Sequence, residues 1–544
     1  MSESNMSISD RSHKSDEHLN MNRWHGELWN DECLNDERLR DDRMQQTRYM
    51  EQAGQKEARP RIAFFITSLA GGGAEKVVTM LLRGLDPAQY ELHLIVNRLE
   101  GPYVPLLPFY VQVTELQSAR LRSALPILVK QLKRIQPHVV VSHMWENNVL
   151  ATLANIWGGF GYGTLLCEHS AISYRRALGT DALRGWCYRR SDAVVGCSEQ
   201  MGMELHEWLG IPDERIQVVP NPIIDHEFEA RAAEPCSHQW LSQLSLEQEM
   251  FEQQVGQPKE RFMLEHGAER RFSPVLIGVG RLVPEKRFDL FITAISRVRE
   301  LHPHWDVRGV IVGEGVQRRQ LEDLKDALRL QNVVDLPGYV SNPLPYLRAA
   351  HLFVQTSDVE GLPTALVEAV ACGTDVVATC TATGTEEVLC GVHNAALVPC
   401  GNMDVIVSKL IEMLERQEQQ WLQRFEPQQL ELKLDMGLEM KLGAEIGMRI
   451  GMDQGQDQVQ EQQNASPRGG VAILVPQPDE LHTRQVPYKL PLAQSVHASH
   501  LQRFTLTEAT NRYAELINEA LARRGWHHNS AGSEVNNCEI TVRI

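Results

Sequence analysis

The stretch that decides the fold is Arg61-Ile-Ala-Phe-Phe-Ile-Thr-Ser-Leu-Ala-Gly71-Gly72-Gly73-Ala-Glu-Lys-Val-Val-Thr-Met-Leu-Leu-Arg-Gly-Leu85. Its first seven residues form a short apolar run, as in a strand buried on both faces. Three glycines follow, then a helical pattern from Ala74 to Leu85. The alternation continues, with strands expected at Tyr90–Val96, His138–Ser142, Thr164–Cys167, Ala193–Cys197 and Gln217–Val219. A second series starts near Pro274. Its expected strands are Val275–Val279, Gly309–Val312, Val333–Leu336, Leu352–Gln355 and Asp375–Ala378, and its helices include Val316–Leu330 and Pro363–Ala371. Strands alternating with helices imply parallel, doubly wound sheets, so the expected class is α/β with two domains in series. Pro220-Asn221-Pro222 joins them and reads as a hinge, because its prolines fix the local backbone.

The flanking segments differ in composition. Residues 1–58 are polar and charged and are expected to be a mobile tail, since they bury too little to offset chain entropy. The expected domains are 59–222 and 273–415, separated by a polar, partly helical linker or insertion at 223–272. A second insertion is assigned to 416–500, with twelve glutamines between Gln417 and Gln463. Helical periodicity returns at Phe504–Ala522, within a final helix assigned to 501–525, and 526–544 is a tail.

At 544 residues the chain has room for two or three domains of roughly 150 residues each. Its net charge of −17 argues against a nucleic-acid binder that relies on an overall positive field. Ten scattered cysteines, with no C-x-x-C pair and no metal-ligand spacing, read as reduced and mostly buried. No metal site is expected. Met1 is not followed by a basic region and an apolar run, so no secretory leader is expected. Val139–Leu166 comes nearest to a membrane span, but His143, Glu146, Asn147 and Asn148 interrupt it. The expected location is the cytoplasm. Residues 59–222 carry 16 Lys/Arg against 14 Asp/Glu, and Leu121–Ile135 mixes leucines with Arg122, Lys130, Lys133 and Arg134. That pattern fits either an ordinary packed helix or a peripheral contact with an anionic membrane at its inner face.

The strongest chemical signal is Ser357-Asp-Val-Glu360-Gly361-Leu362-Pro363-Thr364-Ala-Leu-Val-Glu368. A strand ends near Gln355, a short loop carries Glu360, and Pro363 suits the first turn of the helix bearing Glu368. Two carboxylates thereby reach the carboxyl edge of a parallel sheet, where open α/β folds bind ligands. The helix N-terminus favours an anion in the same crevice, so the carboxylates are better matched to neutral hydroxyls of sugar or ribose. Taken alone, the two acids also fit plain helix-dipole complementation.

A second signal is Gly278-Val-Gly280-Arg281-Leu-Val-Pro-Glu-Lys286-Arg287. Arg281 and Lys286 suit a diphosphate, the guanidinium bidentately and the ammonium as a point charge. Alternatively the run is a basic loop in solvent. It is neither a Walker loop nor a dinucleotide fingerprint, which disfavours NAD. Gly71, Gly72 and Gly73 permit close backbone approach to a ligand, or mark a tight turn. Cys167-Glu168-His169-Ser170 ends another strand, where His169 faces the cleft or serves structure.

Together these residues resemble the retaining family-4 glycosyltransferases of the GT-B fold, over roughly 60–222, 274–415 and 501–522. Glu360 and Glu368 have that family's Glu-x7-Glu spacing. The resemblance implies two Rossmann-like domains facing across a cleft, with the final helix crossing back to the first. It implies that Glu360 contacts the donor sugar, with Gly361 and Leu362 beside it, and that Glu368 holds the nucleotide ribose. By the same resemblance Arg281 and Lys286 bind the diphosphate, and Gly71–Gly73 lie near the donor phosphates and acceptor. His169 matches a cleft histidine near the sugar, and Thr383 and Gly384 belong to a loop over the donor. The implied reaction transfers a hexose or N-acetylhexosamine from a nucleotide-sugar, a UDP-sugar for preference. The acceptor would be a glycan or lipid-linked acceptor, with retention, in polysaccharide or glycoconjugate synthesis. The nucleotide-sugar is a co-substrate, and no cofactor, metal or nucleic-acid partner is implied. Leu362 departs from the family's frequent phenylalanine, and Asp375 stands where proline is frequent. Two readings of another class stay open. A GT-B-type UDP-sugar 2-epimerase would lack the glutamate pair, and a non-catalytic sugar-nucleotide sensor or scaffold would bind without turnover.

Overall fold

The computed structural model describes residues 59–120, 123–173, 178–242, 271–422 and 498–526. The tail 1–58, most of the glutamine-rich segment and 527–544 lie outside the described residues. Contacts divide the chain into a small unit, described at Arg59, Pro60 and Asp86–Glu91, and a large unit containing Arg61–Leu85 and everything after Leu92. In the small unit the Glu91 N–H donates to the Pro60 carbonyl at 3.0 Å, and Arg59 donates to the Pro87 carbonyl.

The first sheet contains β1 (Arg61–Ile66), β2 (Glu91–Val96), β3 (Gln112–Glu115), β4 (Val139–His143), β5 (Gly163–Cys167), β6 (Ala193–Gly196) and β7 (Ile216–Val218). Its order is β3-β2-β1-β4-β5-β6-β7. The second contains β8 (Val275–Val279), β9 (Arg308–Val312), β10 (Val334–Gly338), β11 (Leu352–Gln355), β12 (Asp375–Cys380) and β13 (Ala395–Pro399). Its order is β10-β9-β8-β11-β12-β13. All pairings are parallel, for example Ile62 beside Val139 and Leu352 beside Asp375. These are two Rossmann-like domains of the GT-B fold. Central strands are buried along their length, which is why they read as apolar runs. The order reverses between β1 and β4 and between β8 and β11, the places where doubly wound sheets open a crevice.

Four helices matter for the site: α1 (Gly73–Gly84), α2 (Glu199–Leu209), α3 (Thr364–Ala371) and α4 (Leu506–Ala522). Helix α4 returns to the first domain as expected. Tyr513 donates to Cys167 Sγ at 3.4 Å, and Arg524 pairs with Asp192 at 2.8 Å. The two crossing segments run side by side, since Ile223 and Ile224 N–H groups donate to the Phe504 carbonyl at 2.8 and 3.1 Å.

Two boundaries need correction. Ile223, Ile224 and Phe228 are buried in the core of the second domain, so the described part of 223–272 starts as core rather than linker. The second domain also continues past 415, in a helix over 403–422. Gln417 donates to Asp375 at 2.8 Å and Arg416 at 3.0 Å, while Trp421 packs on the core. Asp375, in place of the frequent proline, thus anchors that helix, and glutamine content alone hid the packed turn. Among the described residues no helix is long and apolar enough to cross a membrane. In the helix Leu125–Ile135, Leu128, Leu132 and Ile135 are buried, and Lys130, Lys133 and Arg134 are exposed.

Candidate active site

The loops after β1, β5, β8, β11 and β12 converge where the two domains meet. After β11, Ser357 and Lys286 both donate to Glu360 Oε1, each at 2.6 Å. The carboxylate is therefore aimed by one hydroxyl and one ammonium. Thr383 donates to the Glu360 carbonyl and ties the loop after β12 to the Glu360 loop. Arg287, the third cation of the basic run, turns away to Asp289 at 3.0 Å and Asp358 at 3.1 Å. Arg281 is exposed and forms no salt bridge among the described residues. Its charge is felt by Glu75 in the first turn of α1, whose carboxyl is pushed up by burial against the pull of its own N–H, Arg281 and the Gly72 N–H.

Glu368, on α3, forms a salt bridge with Lys76 of α1. Tyr103 stands near them, its phenol held up by burial and by the charges of Glu368, Tyr339 and Glu75. The N-termini of α1 and α3 face each other: a side-chain carbon on Gly73 would sit 3.5 Å from Thr364 Cγ2. Neither helix has a side-chain cap from its N-cap residue. Two positive helix ends, Arg281, Lys286 and Lys76 thus gather at one crevice, with Glu360 and Glu368 beside them. Gly71 packs near Pro102, and Gly72 lies under the Glu75 carboxyl.

His169, after β5, comes to the same seam. A Cβ on Gly361 would lie 2.1 Å from the His169 carbonyl oxygen, so only glycine lets the Glu360 loop approach it. The His169 Nε2 and His143 Nδ1 atoms are 2.9 Å apart. Burial holds both rings below the usual histidine range, His169 to about 4, and the adjacent His169 lowers His143 further. Glu168, next in sequence, is buried and held by Arg184 at 2.8 Å and by Tyr188, so it serves the first domain's interior.

Leu362 is buried in the hydrophobic core, and its N–H is directed at Cys197. It fills the seam between the domains. Gly384 packs against the Gly361 carbonyl. Residues that the motifs did not single out are Lys76, Tyr103, His143 and Ser357. Of these, only Ser357, three residues before Glu360, carried a local signal, as a short polar side chain in the same loop.

Comparison with known proteins now bears on this geometry. The model of glycosyl transferases group 1 matches residues 264–425, and that of glycosyltransferase family 4 matches residues 71–227. Between them the two models span more than half of the chain. The chain belongs to the group 1, family-4 glycosyltransferases. An uncharacterized glycosyltransferase of Methanocaldococcus jannaschii is 36% identical over 116 residues, covering 21% of this chain and 28% of that relative. The match therefore spans less than a third of that relative's length. A Campylobacter jejuni N-acetylgalactosamine-N,N'-diacetylbacillosaminyl-diphospho-undecaprenol 4-alpha-N-acetylgalactosaminyltransferase is 25% identical over 379 residues, 65% of this chain and 90% of the relative. Among solved structures, Anabaena HepE in complex with UDP and glucose superposes with a TM-score of 0.53 at 18% identity, covering 66% of this chain and 91% of its own. Sucrose-phosphate synthase from Thermosynechococcus elongatus gives 0.52 at 18% identity, covering 66% and 90%. These similarities give the glycosyltransferase its fold, and the site has to be argued from its own residues.

Proposed function

We propose that this glycosyltransferase moves a hexose or N-acetylhexosamine from a UDP-sugar to a glycan or lipid-linked acceptor, with retention, in polysaccharide or glycoconjugate synthesis. The observation that carries the reading is the convergence of Glu360, Lys286, Arg281 and Glu368 with two helix N-termini in one crevice. Arg281, Lys286 and two positive helix ends suit a diphosphate. The two carboxylates suit hydroxyl-rich groups on either side of it, Glu360 the sugar and Glu368 the ribose. Bond breaking puts negative charge on the leaving diphosphate, and Arg281, Lys286 and the α3 N-terminus are placed to meet that charge without a metal. With His169 neutral, Nδ1, the ring nitrogen that does not face His143, offers one hydrogen bond to the sugar without adding charge. Retention rests on the resemblance, in which the acceptor attacks the face the leaving group vacates and the departing phosphate helps take its proton. The diphospho-undecaprenol in the Campylobacter relative's name supports a lipid-linked acceptor.

Thermal unfolding in a panel of UDP- and GDP-sugars tests the donor, because stabilisation grows with ligand concentration over Kd. A UDP-sugar is expected to raise Tm and to be consumed only when a polyprenyl-diphosphate sugar or glycan acceptor is added. Consumption without acceptor would favour an epimerase, and stabilisation without turnover a sensor.

A further inference from the structure

Lys76 belongs to the first domain and Glu368 to the second, 292 residues away in the chain. Their side chains are 19% and 7% exposed, so the pair is largely shielded from water. The residue before Lys76, Glu75, lies in the field of Arg281. Adjacent residues of α1 therefore face two donor-side residues with opposite charge, Glu75 toward Arg281 and Lys76 toward Glu368. A carboxylate offers about four acceptor sites, and the ammonium occupies one, on Oε1. Glu368 Oε2 makes no hydrogen bond among the described residues.

We propose that Lys76 is a positioning residue for the donor. It reaches from the first domain to hold Glu368 in the orientation that receives the vicinal hydroxyls of a nucleotide ribose. One hydroxyl donates to Oε2, the other to the remaining lone pair of Oε1. The preference for a ribonucleoside diphosphate over its dideoxy counterpart thus depends on a residue of the opposite domain. This inference rests on the assignment of Glu368 to the ribose.

Calorimetric titration of UDP and 2′,3′-dideoxy-UDP, and of the corresponding GDP pair, into wild type, Lys76→Met, Lys76→Arg and Glu368→Ala tests it. Lys76→Met should weaken ribonucleotide binding about tenfold, the scale of one charge-assisted hydrogen bond. Dideoxynucleotide binding should weaken less than twofold on the same basis, roughly, because the hydroxyls are missing. Lys76→Arg should recover much of the loss, and in turnover Lys76→Met should raise donor KM more than it lowers kcat. Equal losses on both nucleotides would mean a merely structural salt bridge. Tighter ribonucleotide binding by Lys76→Met would mean that Lys76 competes with the ribose. Either result overturns the proposal. If Glu368→Ala selectively weakens the ribonucleotide and Lys76→Met does not, only the role of Lys76 fails. If wild type shows no preference for the ribonucleotide, or Glu368→Ala weakens both nucleotides equally, the donor-site reading fails with it.

Discussion

Glu360 and Glu368 share a motif but are held by different partners, and their losses should differ accordingly. On the proposed ribose contact, Glu368→Ala removes an interaction made equally in ground and transition states, so donor KM should rise with little change in kcat. In the proposed function Glu360, aimed by Ser357 and Lys286, orients the reacting sugar, so Glu360→Ala should lower kcat by on the order of 10²-fold. Glu360→Gln keeps the shape and should fall between wild type and Glu360→Ala. Steady-state kinetics with varied donor checks this, and wild-type behaviour of both Ala variants would remove the site. The His143–His169 pair gives a second prediction at this scale. Both rings are held below the ordinary value near 6.5, so as pH falls the unfolded chain takes up protons first. Their contribution to stability is complete above about pH 6.5 and drains as pH falls below it, for His169 until about pH 4. His143→Gln should flatten the fall in Tm between pH 7 and 5. An unchanged slope would show that His143 does not titrate with folding.

Among the elements, the loop Ser357–Pro363 is constrained by what it packs on. In Gly361→Ala the new methyl would meet the His169 carbonyl oxygen, a backbone atom that cannot swing aside. The loop must shift, and kcat should drop at least tenfold, roughly, through misplacement of Glu360. Gly391→Ala is the contrast. Its φ of +77° strains an alanine, but nothing lies within 4 Å of the added carbon. It should lose about 1 kcal/mol of stability and keep its rate. Thermal melts and turnover numbers for the two variants separate the effects. The strands missed by sequence reading, β3 and β13, are edge strands. β3 is polar and largely exposed, and β13 is a short run in which only Val398 is buried, so burial on both faces did not mark either.

Across the whole molecule, α4 is the strap between domains. Truncation before Leu501 would remove Phe504, Tyr513, Leu516 and Ile517, all buried. The truncated chain should lose cooperative unfolding and bind a hydrophobic dye, as read by calorimetry and fluorescence. The exposed cations Lys130, Lys133 and Arg134 lie on one helix of the first domain. With anionic vesicles, flotation should show salt-sensitive binding that replacing all three by Gln abolishes. Binding indifferent to salt, or none, would remove the membrane from the proposal.

Burial on both faces writes itself into composition, so Ile62–Ile66, Val139–Val141 and Val275–Ile277 announced parallel strands before any contact was known. Glu360 and Glu368 were legible for a similar reason: a strand end, a loop and one helical turn set their spacing locally. The partners of those glutamates were not. Lys76 meets Glu368, Gly361 meets His169 and Tyr513 meets Cys167 only because two sheets and a returning helix come together. Such contacts between distant residues leave no period in the chain. Which carboxylate is held by which cation, and the burial of Leu362 in the seam between the domains, were decided by tertiary packing alone.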